Sequence, residues 1–325
     1  MNLLLLIIAV VVGLLLILEV GLRLLFGFGN PPLYIADDQI GYLLAPNQCL
    51  RRFGNRFAIN EYSMRSPQIE AKPPISTLRV LLLGDSIANG ASWTNQDRTI
   101  SALMATQLEE VLLPQQSFER VEVLNASANS WGPRNELAYL QRFGTFDAQV
   151  VLLLINTDDL FATAPTSVQV GRDRHYPNHN PPSAIAEVFN RYLLKAPPIP
   201  EMEVVKAEVC DRVGLNLEAI SAIQAIADAN GAKFLLAMTP RLWEIDEPGS
   251  RDYEVQGRLR LDEFTQDWQI TYLDFLPMFR NMERPERLYR DQIHLSGQGN
   301  RKISEVLGQA AIAMIAASNA PNCHN

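Results

Sequence analysis

The chain has 325 residues, enough for one large domain or two small ones, and its 47% hydrophobic content allows a full buried core. A formal net charge of −8 with no basic stripe argues against a nucleic-acid partner. The three cysteines, Cys49, Cys210 and Cys323, are compatible with one disulfide plus a free thiol or with three buried thiols, and none has the spacing of a metal site.

The first element is an unbroken apolar run from Leu3 to Leu18 that continues past Glu19 and Arg23 to Phe26. At about 1.5 Å per helical residue, the stretch from Leu3 to Phe28 spans roughly 39 Å, enough to cross a bilayer with a tilt. Glu19 and Arg23 are four residues apart and can pair on one helix face. A single-pass anchor is favoured over a cleaved signal peptide, because no basic leading segment and no clear small-residue cleavage site are present. A buried core helix is the third reading. The part that follows the helix is expected outside the cytoplasm, in the periplasm or extracellular space. The arginines that follow the helix (Arg23, Arg51, Arg52 and Arg56) lean the other way.

Residues 1–29 are thus expected to form the anchor, and 30–77, rich in Pro, Asn and Arg, an irregular juxtamembrane lead-in. Residues 78–318 alternate strands and helices, and 319–325 form a tail. Strands are predicted at Arg79–Leu83, Val121–Leu124, Gln149–Ile155, Lys233–Met238 and Ile270–Phe275. Helices are predicted at Ile100–Leu112, Glu136–Phe143, Leu217–Ala229, Tyr253–Asp267 and Gly297–Ala317. Ser296 is placed to cap the last of these. Residues 162–199 read as an irregular insertion. Strands separated by helices predict a parallel sheet covered on both faces, an α/β fold.

Two short motifs carry chemistry. Gly84-Asp85-Ser86 follows the first sheet strand, at the carboxyl end where open α/β sheets place ligands. Asp291-Gln292-Ile293-His294 lies in a loop that opens the last helix. Each is weak alone: the first is also what a strand-to-helix turn with a capping serine looks like, and a loop histidine is more often structural. Together they supply a nucleophile, a base and an orienting carboxylate.

On these residues, from about Leu78 to Ile315, the chain resembles the SGNH/GDSL hydrolases, a family of serine esterases and acyl-transfer enzymes. Val80-Leu81-Leu82-Leu83-Gly84-Asp85-Ser86-Ile87 looks like its first block, and Asp291-Gln292-Ile293-His294-Leu295-Ser296 like its last. Ile40-Gly41-Tyr42 with Pro46-Asn47, then Asn60 to Arg65, is similar to the lead-in of membrane-anchored members. The resemblance implies a flavodoxin-like three-layer α/β/α sandwich of about five parallel strands. It makes Ser86 the nucleophile, His294 the base and then acid, and Asp291 the orienting residue. It also implies an oxyanion hole containing the Ser86 N–H.

The middle blocks depart from the family. In Asn125-Ala126-Ser127-Ala128-Asn129-Ser130, Ser130 stands where the family has glycine. Its N–H can still serve the oxyanion if the backbone does not need φ > 0. Asp158 stands where the family has its oxyanion-hole asparagine, and a carboxylate there repels developing negative charge. Two repairs are open: Asn156 turning its amide in, or Asp158 held protonated by burial.

His175 and His179 are expected in a solvated loop, since Pro177 breaks any helix that would align them. Trp93, Trp131 and Trp243 read as packing residues, with a pocket-lining role open for Trp131.

The expected reaction is hydrolysis of a small acyl ester, lipid ester or acylated carbohydrate through an acyl-Ser86 intermediate, without cofactor or metal. O-acyl transfer to a cell-envelope polysaccharide and a non-catalytic binding or assembly role are the alternatives.

Overall fold

The computed structural model describes residues 3–319; Cys323 and all of the expected tail but residue 319 lie outside the described residues. Among the described residues, nine strands form three sheets. The first two sheets lie in the lead-in. β1 (Tyr34–Asp37) pairs antiparallel with β2 (Gly41–Leu44), and β3 (Gln48–Arg52) with β4 (Asn55–Ile59). The lead-in is therefore irregular only in part, which corrects the expectation for 30–77. Tyr42, Leu44, Leu50, Phe57 and Ile59 are buried in the same core as the main sheet. Burying such side chains contributes roughly 1.5–3 kcal/mol each, which makes these hairpins part of the domain.

The main sheet contains β5 (Thr77–Gly84), β6 (Arg120–Ser127), β7 (Val150–Asn156), β8 (Lys233–Thr239) and β9 (Thr271–Asp274), all parallel, in the order β6-β5-β7-β8-β9. This is the flavodoxin-like three-layer arrangement. Residues of β5 and β7 are buried throughout, because helices cover both faces, and their sequences read as continuous apolar runs. Leu81, Leu83, Val151 and Leu153 point into one core with the helices Pro133–Phe143 and Arg212–Ala229. Val80, Leu82, Leu152 and Leu154 point into the other, with Ile100–Leu112 and Gly297–Asn319. The strand order reverses between β5 and β7, so the crevice at their carboxyl ends is the natural ligand site.

The insertion is irregular only in part. It contains the helix Ala184–Val188 and a widened turn Phe189–Leu193, and a further helix, Pro200–Lys206, follows it. The apolar segment forms one helix over Leu3–Phe26, long enough to cross a membrane. None of the residues Leu3–Gly21 is buried, so the core-helix reading is overturned. An anchor and a signal sequence both fit its length and composition.

Candidate active site

β5 ends at Gly84, where a side chain would come within 2.7 Å of the Leu154 carbonyl of β7 and 2.8 Å of Ala88 Cβ. Only glycine lets the chain turn there into the short helix Ser86–Asn89. Asp85 caps that helix: its Oδ1 accepts the Ile87 N–H at 2.7 Å. Ser86 is thereby held at the rim of the crevice.

His294 arrives from the opposite end of the chain. A bridge between Tyr289 and Leu295 closes its loop, and the Arg290 N–H donates to the His294 carbonyl at 2.8 Å. Asp291 Oδ1 accepts the N–H groups of Ile293 (3.0 Å) and His294 (2.8 Å), which folds the loop back on itself. His294 Nδ1 lies 2.9 Å from Asp291 Oδ2, and its Nε2 lies 3.1 Å from Ser86 Oγ. Burial pushes the Asp291 carboxyl upward, but the two N–H groups and the imidazole outweigh it and hold Asp291 below its usual value. Asp291 is therefore an anion beside Nδ1, which fixes the proton on that nitrogen and leaves Nε2 free to accept. Trp93 packs edge-on against His294 with ring centroids 4.9 Å apart, and Arg290 sits over the Trp93 ring at 5.1 Å.

The remaining expected site residues line the same cleft of about 730 Å³, which also holds Ser86 and His294. Ser130 adopts φ +58°, the left-handed conformation that favours the family's glycine, and its Oγ accepts from the Tyr176 hydroxyl at 3.0 Å. The backbone geometry is thus the one glycine would give, held in spite of a Cβ cost of about 1 kcal/mol.

The Asn156 amide is engaged by neighbouring side chains. Its Nδ2 donates to Asp85 Oδ2 and to Asp159 Oδ2, both at 2.9 Å, and its Oδ1 accepts the Asp158 N–H at 2.8 Å. The amide is consumed in holding two buried carboxyls apart.

Asp158 is ion-paired with Arg241, whose guanidinium stacks over Trp243 at 4.3 Å. Burial raises the Asp158 carboxyl and Arg241 opposes it, while Glu254 and Glu244 raise it further.

Behind Ser86 lie three buried carboxyls, Asp85, Asp159 and Glu136. Burial pushes Asp85 up to about 6, against the Ile87 N–H and His294. Burial and then the charge of Asp85 raise Asp159 and Glu136 well above the usual carboxylate range. Neither oxygen of Glu136 has a hydrogen-bond partner.

Arg241 and Glu136 were not singled out by sequence reasoning and Trp93 was read only as a packing residue, because each acts through a partner tens to hundreds of residues away. Trp131 is a core residue whose Nε1 donates to the Tyr42 carbonyl at 3.0 Å. His179 is exposed beside Asn178, and His175 lies in the exposed loop. Cys49 and Cys210 are free and exposed. Among the described residues no cluster suits a metal ion.

The family model described as GDSL-like Lipase/Acylhydrolase matches residues 82–302. Among solved structures, the chain is similar to an acetyl xylan esterase at 15% identity, covering 72% of this chain and 99% of that one with a TM-score of 0.47. It is similar to an acetyl-xylooligosaccharide esterase from Geobacillus stearmophilus at 15% identity, covering 73% and 94%, TM-score 0.44. A lipase/acylhydrolase from Enterococcus faecalis is similar at 11% identity, covering 73% and 96%, TM-score 0.45. Likenesses of this size carry no argument about substrate. No curated protein matches the chain.

Proposed function

Starting from the chain's membership of the GDSL-like lipase/acylhydrolase family, we propose that it hydrolyses carboxylic esters through an acyl-Ser86 intermediate. The observation that carries this reading is the 3.1 Å approach of His294 Nε2 to Ser86 Oγ, with Asp291 on the far side of the ring. Ser86 Oγ attacks the ester carbonyl carbon while Nε2 takes its proton. The Asp291 carboxylate stabilises the imidazolium that forms. The N–H groups of Ser86 and Ser130 receive the oxyanion. Collapse expels the alcohol, protonated by His294, and leaves the acyl group on Ser86. Water then attacks the acyl carbon with His294 again as base, releasing the acid and restoring the hydroxyl.

Asp158 does not block this scheme, because its charge is balanced by Arg241 before any oxyanion forms. The chain is read as anchored by Leu3–Phe26 with the cleft outside the cytoplasm. A second reading has support in the cleft wall, where Gln169, Asp173, Lys206 and Tyr176 offer donors and acceptors suited to sugar hydroxyls. With a sugar hydroxyl in place of water, the same steps give O-acyl transfer to a polysaccharide.

The test uses the full chain in detergent with p-nitrophenyl acetate. Ser86→Ala is expected to lower kcat by about 10⁶-fold, in line with loss of a nucleophile. A fluorophosphonate probe should modify Ser86. An unchanged rate, or label on another residue, would remove Ser86 from the mechanism, and a folded chain that neither turns over nor takes label would favour a binding protein.

A further inference from the structure

The chain that leaves the apolar helix is built into the domain at once. Glu19 accepts the N–H groups of Ala184 (2.8 Å) and Ile185 (2.9 Å), so a carboxylate on the apolar helix caps the insertion helix Ala184–Val188. Glu187 of that helix accepts the Gly29 N–H at 2.6 Å and is held by Arg52 at 2.7 Å, and Arg52 also donates to the Gly27 carbonyl at 2.7 Å. The Phe53 N–H donates to the Phe26 carbonyl at 2.9 Å. The ring of Phe28 touches those of Phe26, Phe53 and Tyr192, with centroids 6.2, 5.7 and 6.2 Å away.

This junction carries apolar side chains that none of the described residues covers. Leu25 is 70% exposed, Leu193 69% and Tyr192 60%, and Phe26, Phe53 and Phe189 are also exposed. The Phe28 ring makes Phe26, Phe53 and Tyr192 one patch. In a soluble protein, so many adjoining rings and leucines would mark an interaction surface.

We propose that this patch is a second membrane contact, seated in the headgroup and acyl boundary of the bilayer that the helix Leu3–Phe26 enters. Three observations favour a lipid surface over a protein partner. The patch is continuous with the helix: its 24 residues span about 36 Å, longer than the roughly 30 Å hydrocarbon core, so its last turn emerges at that boundary. The composition is that of the boundary, with aromatic rings and a tyrosine hydroxyl at the edge. Exposed Arg51, Arg56 and Lys195 flank it in sequence and offer cations to lipid phosphates.

The seat also reaches the cleft. Arg174 donates to the carbonyls of Arg191 (2.7 Å) and Leu194 (2.8 Å), joining the membrane-facing turn to the segment that ends at Tyr176 beside Ser130. The bilayer therefore fixes the height and tilt of the cleft. This inference rests on Leu3–Phe26 being retained as a span and is independent of the esterase reading.

The test places a nitroxide on the full chain in nanodiscs of phosphatidylcholine and phosphatidylglycerol, with Cys49, Cys210 and Cys323 changed to Ser. Leu193→Cys reports on the patch, Leu14→Cys on the middle of the helix, and Val209→Cys on a fully exposed position. Collision with oxygen, enriched among acyl chains, is compared with collision with an aqueous nickel chelate. Circular dichroism melting confirms that each labelled chain is folded. The expected result is an oxygen-to-nickel ratio at Leu193 several-fold above that at Val209 and below that at Leu14. A Leu193 label as open to nickel as Val209, with Leu14 shielded, overturns the seat and leaves the span intact. Leu14 open to nickel removes both. A Leu193 label shielded from both reagents means that protein covers the patch, which also overturns the proposal.

Discussion

Asp158 and Arg241 share an ion pair at the edge of the cleft, and each changes what the other does to an anion forming on the substrate. Removing Arg241 alone leaves a half-buried carboxylate unbalanced near the developing charge, the costly half of a broken pair. Arg241→Met is expected to lower kcat about tenfold or more, a barrier increase of about 1.4 kcal/mol or more. Adding Asp158→Asn restores part of that loss, while Asp158→Asn alone changes little. Steady-state kinetics on the four chains measures the coupling. Equal rates for Arg241→Met and the double variant would show that the carboxylate does not act on the transition state.

Glu136 makes a different kind of prediction at the same scale. Its raised carboxyl is protonated in the folded chain and ionised in the unfolded one over the window above its ordinary value of 4.5. The contribution to stability is therefore full in acid and falls as pH rises through that window. Glu136→Gln removes the titration, so its melting temperature should gain on that of the parent as pH rises above the ordinary carboxyl value of 4.5. Parallel melting curves across that range would show that Glu136 is not held neutral. Ser86, Asp291 and His294 were legible in the sequence because each adjoins a strand or helix whose pattern locates it. Glu136 and Arg241 were not, because burial and pairing are set by elements far away along the chain.

At the scale of elements, the inner strands β5, β7 and β8 declare themselves as apolar runs because both of their faces are covered. The hairpins of the lead-in do not. Their strands are four or five residues long, and β3 and β4 carry Gln48, Arg51, Arg52, Asn55 and Arg56. The β3–β4 turn is Phe53-Gly54, with positive φ at both residues. That is the geometry of a two-residue hairpin turn, but without the Asn-Gly or Asp-Gly pair that signals one in a sequence.

Arg65, at the end of the lead-in, ties this region to the site. It is buried, lies 4.4 Å over the Phe57 ring and donates to the carbonyls of Asn89, Ala91 and Thr94. These carbonyls belong to the loop that carries Trp93 against His294. Arg65→Met keeps the bulk and strands those carbonyls, so it should destabilise the fold by about 2–4 kcal/mol. It should also lower kcat in the fraction that remains folded. Urea unfolding and active-site titration separate the two effects. A chain with normal stability and normal kcat would show that the loop needs no such tie.

The whole molecule is legible in the sequence as an apolar helix followed by an α/β domain, but not as one joined body, since the joints are bonds between distant residues. Arg52, which sequence reading counts as a free positive charge after the helix, is paired with Glu187, and the Glu19–Arg23 pair expected from their spacing of four is present. The joint also decides where the chain can be cut. A chain beginning at Gly27 keeps the carbonyl that Arg52 uses, the Gly29 N–H that Glu187 accepts and the buried ring of Phe28, which lies 4.9 Å under the Arg52 guanidinium. A chain beginning at Asn30 loses all three, and the loss of a buried phenyl ring alone costs about 3 kcal/mol or more. At about 2–4 °C per kcal/mol for a domain near this size, the shorter chain should melt at least ~6 °C below the longer one. Calorimetry on the two chains decides it: coincident melting would mean that the segment ending at Gly29 is a tether, and the rigid joint between helix and domain would have to be abandoned.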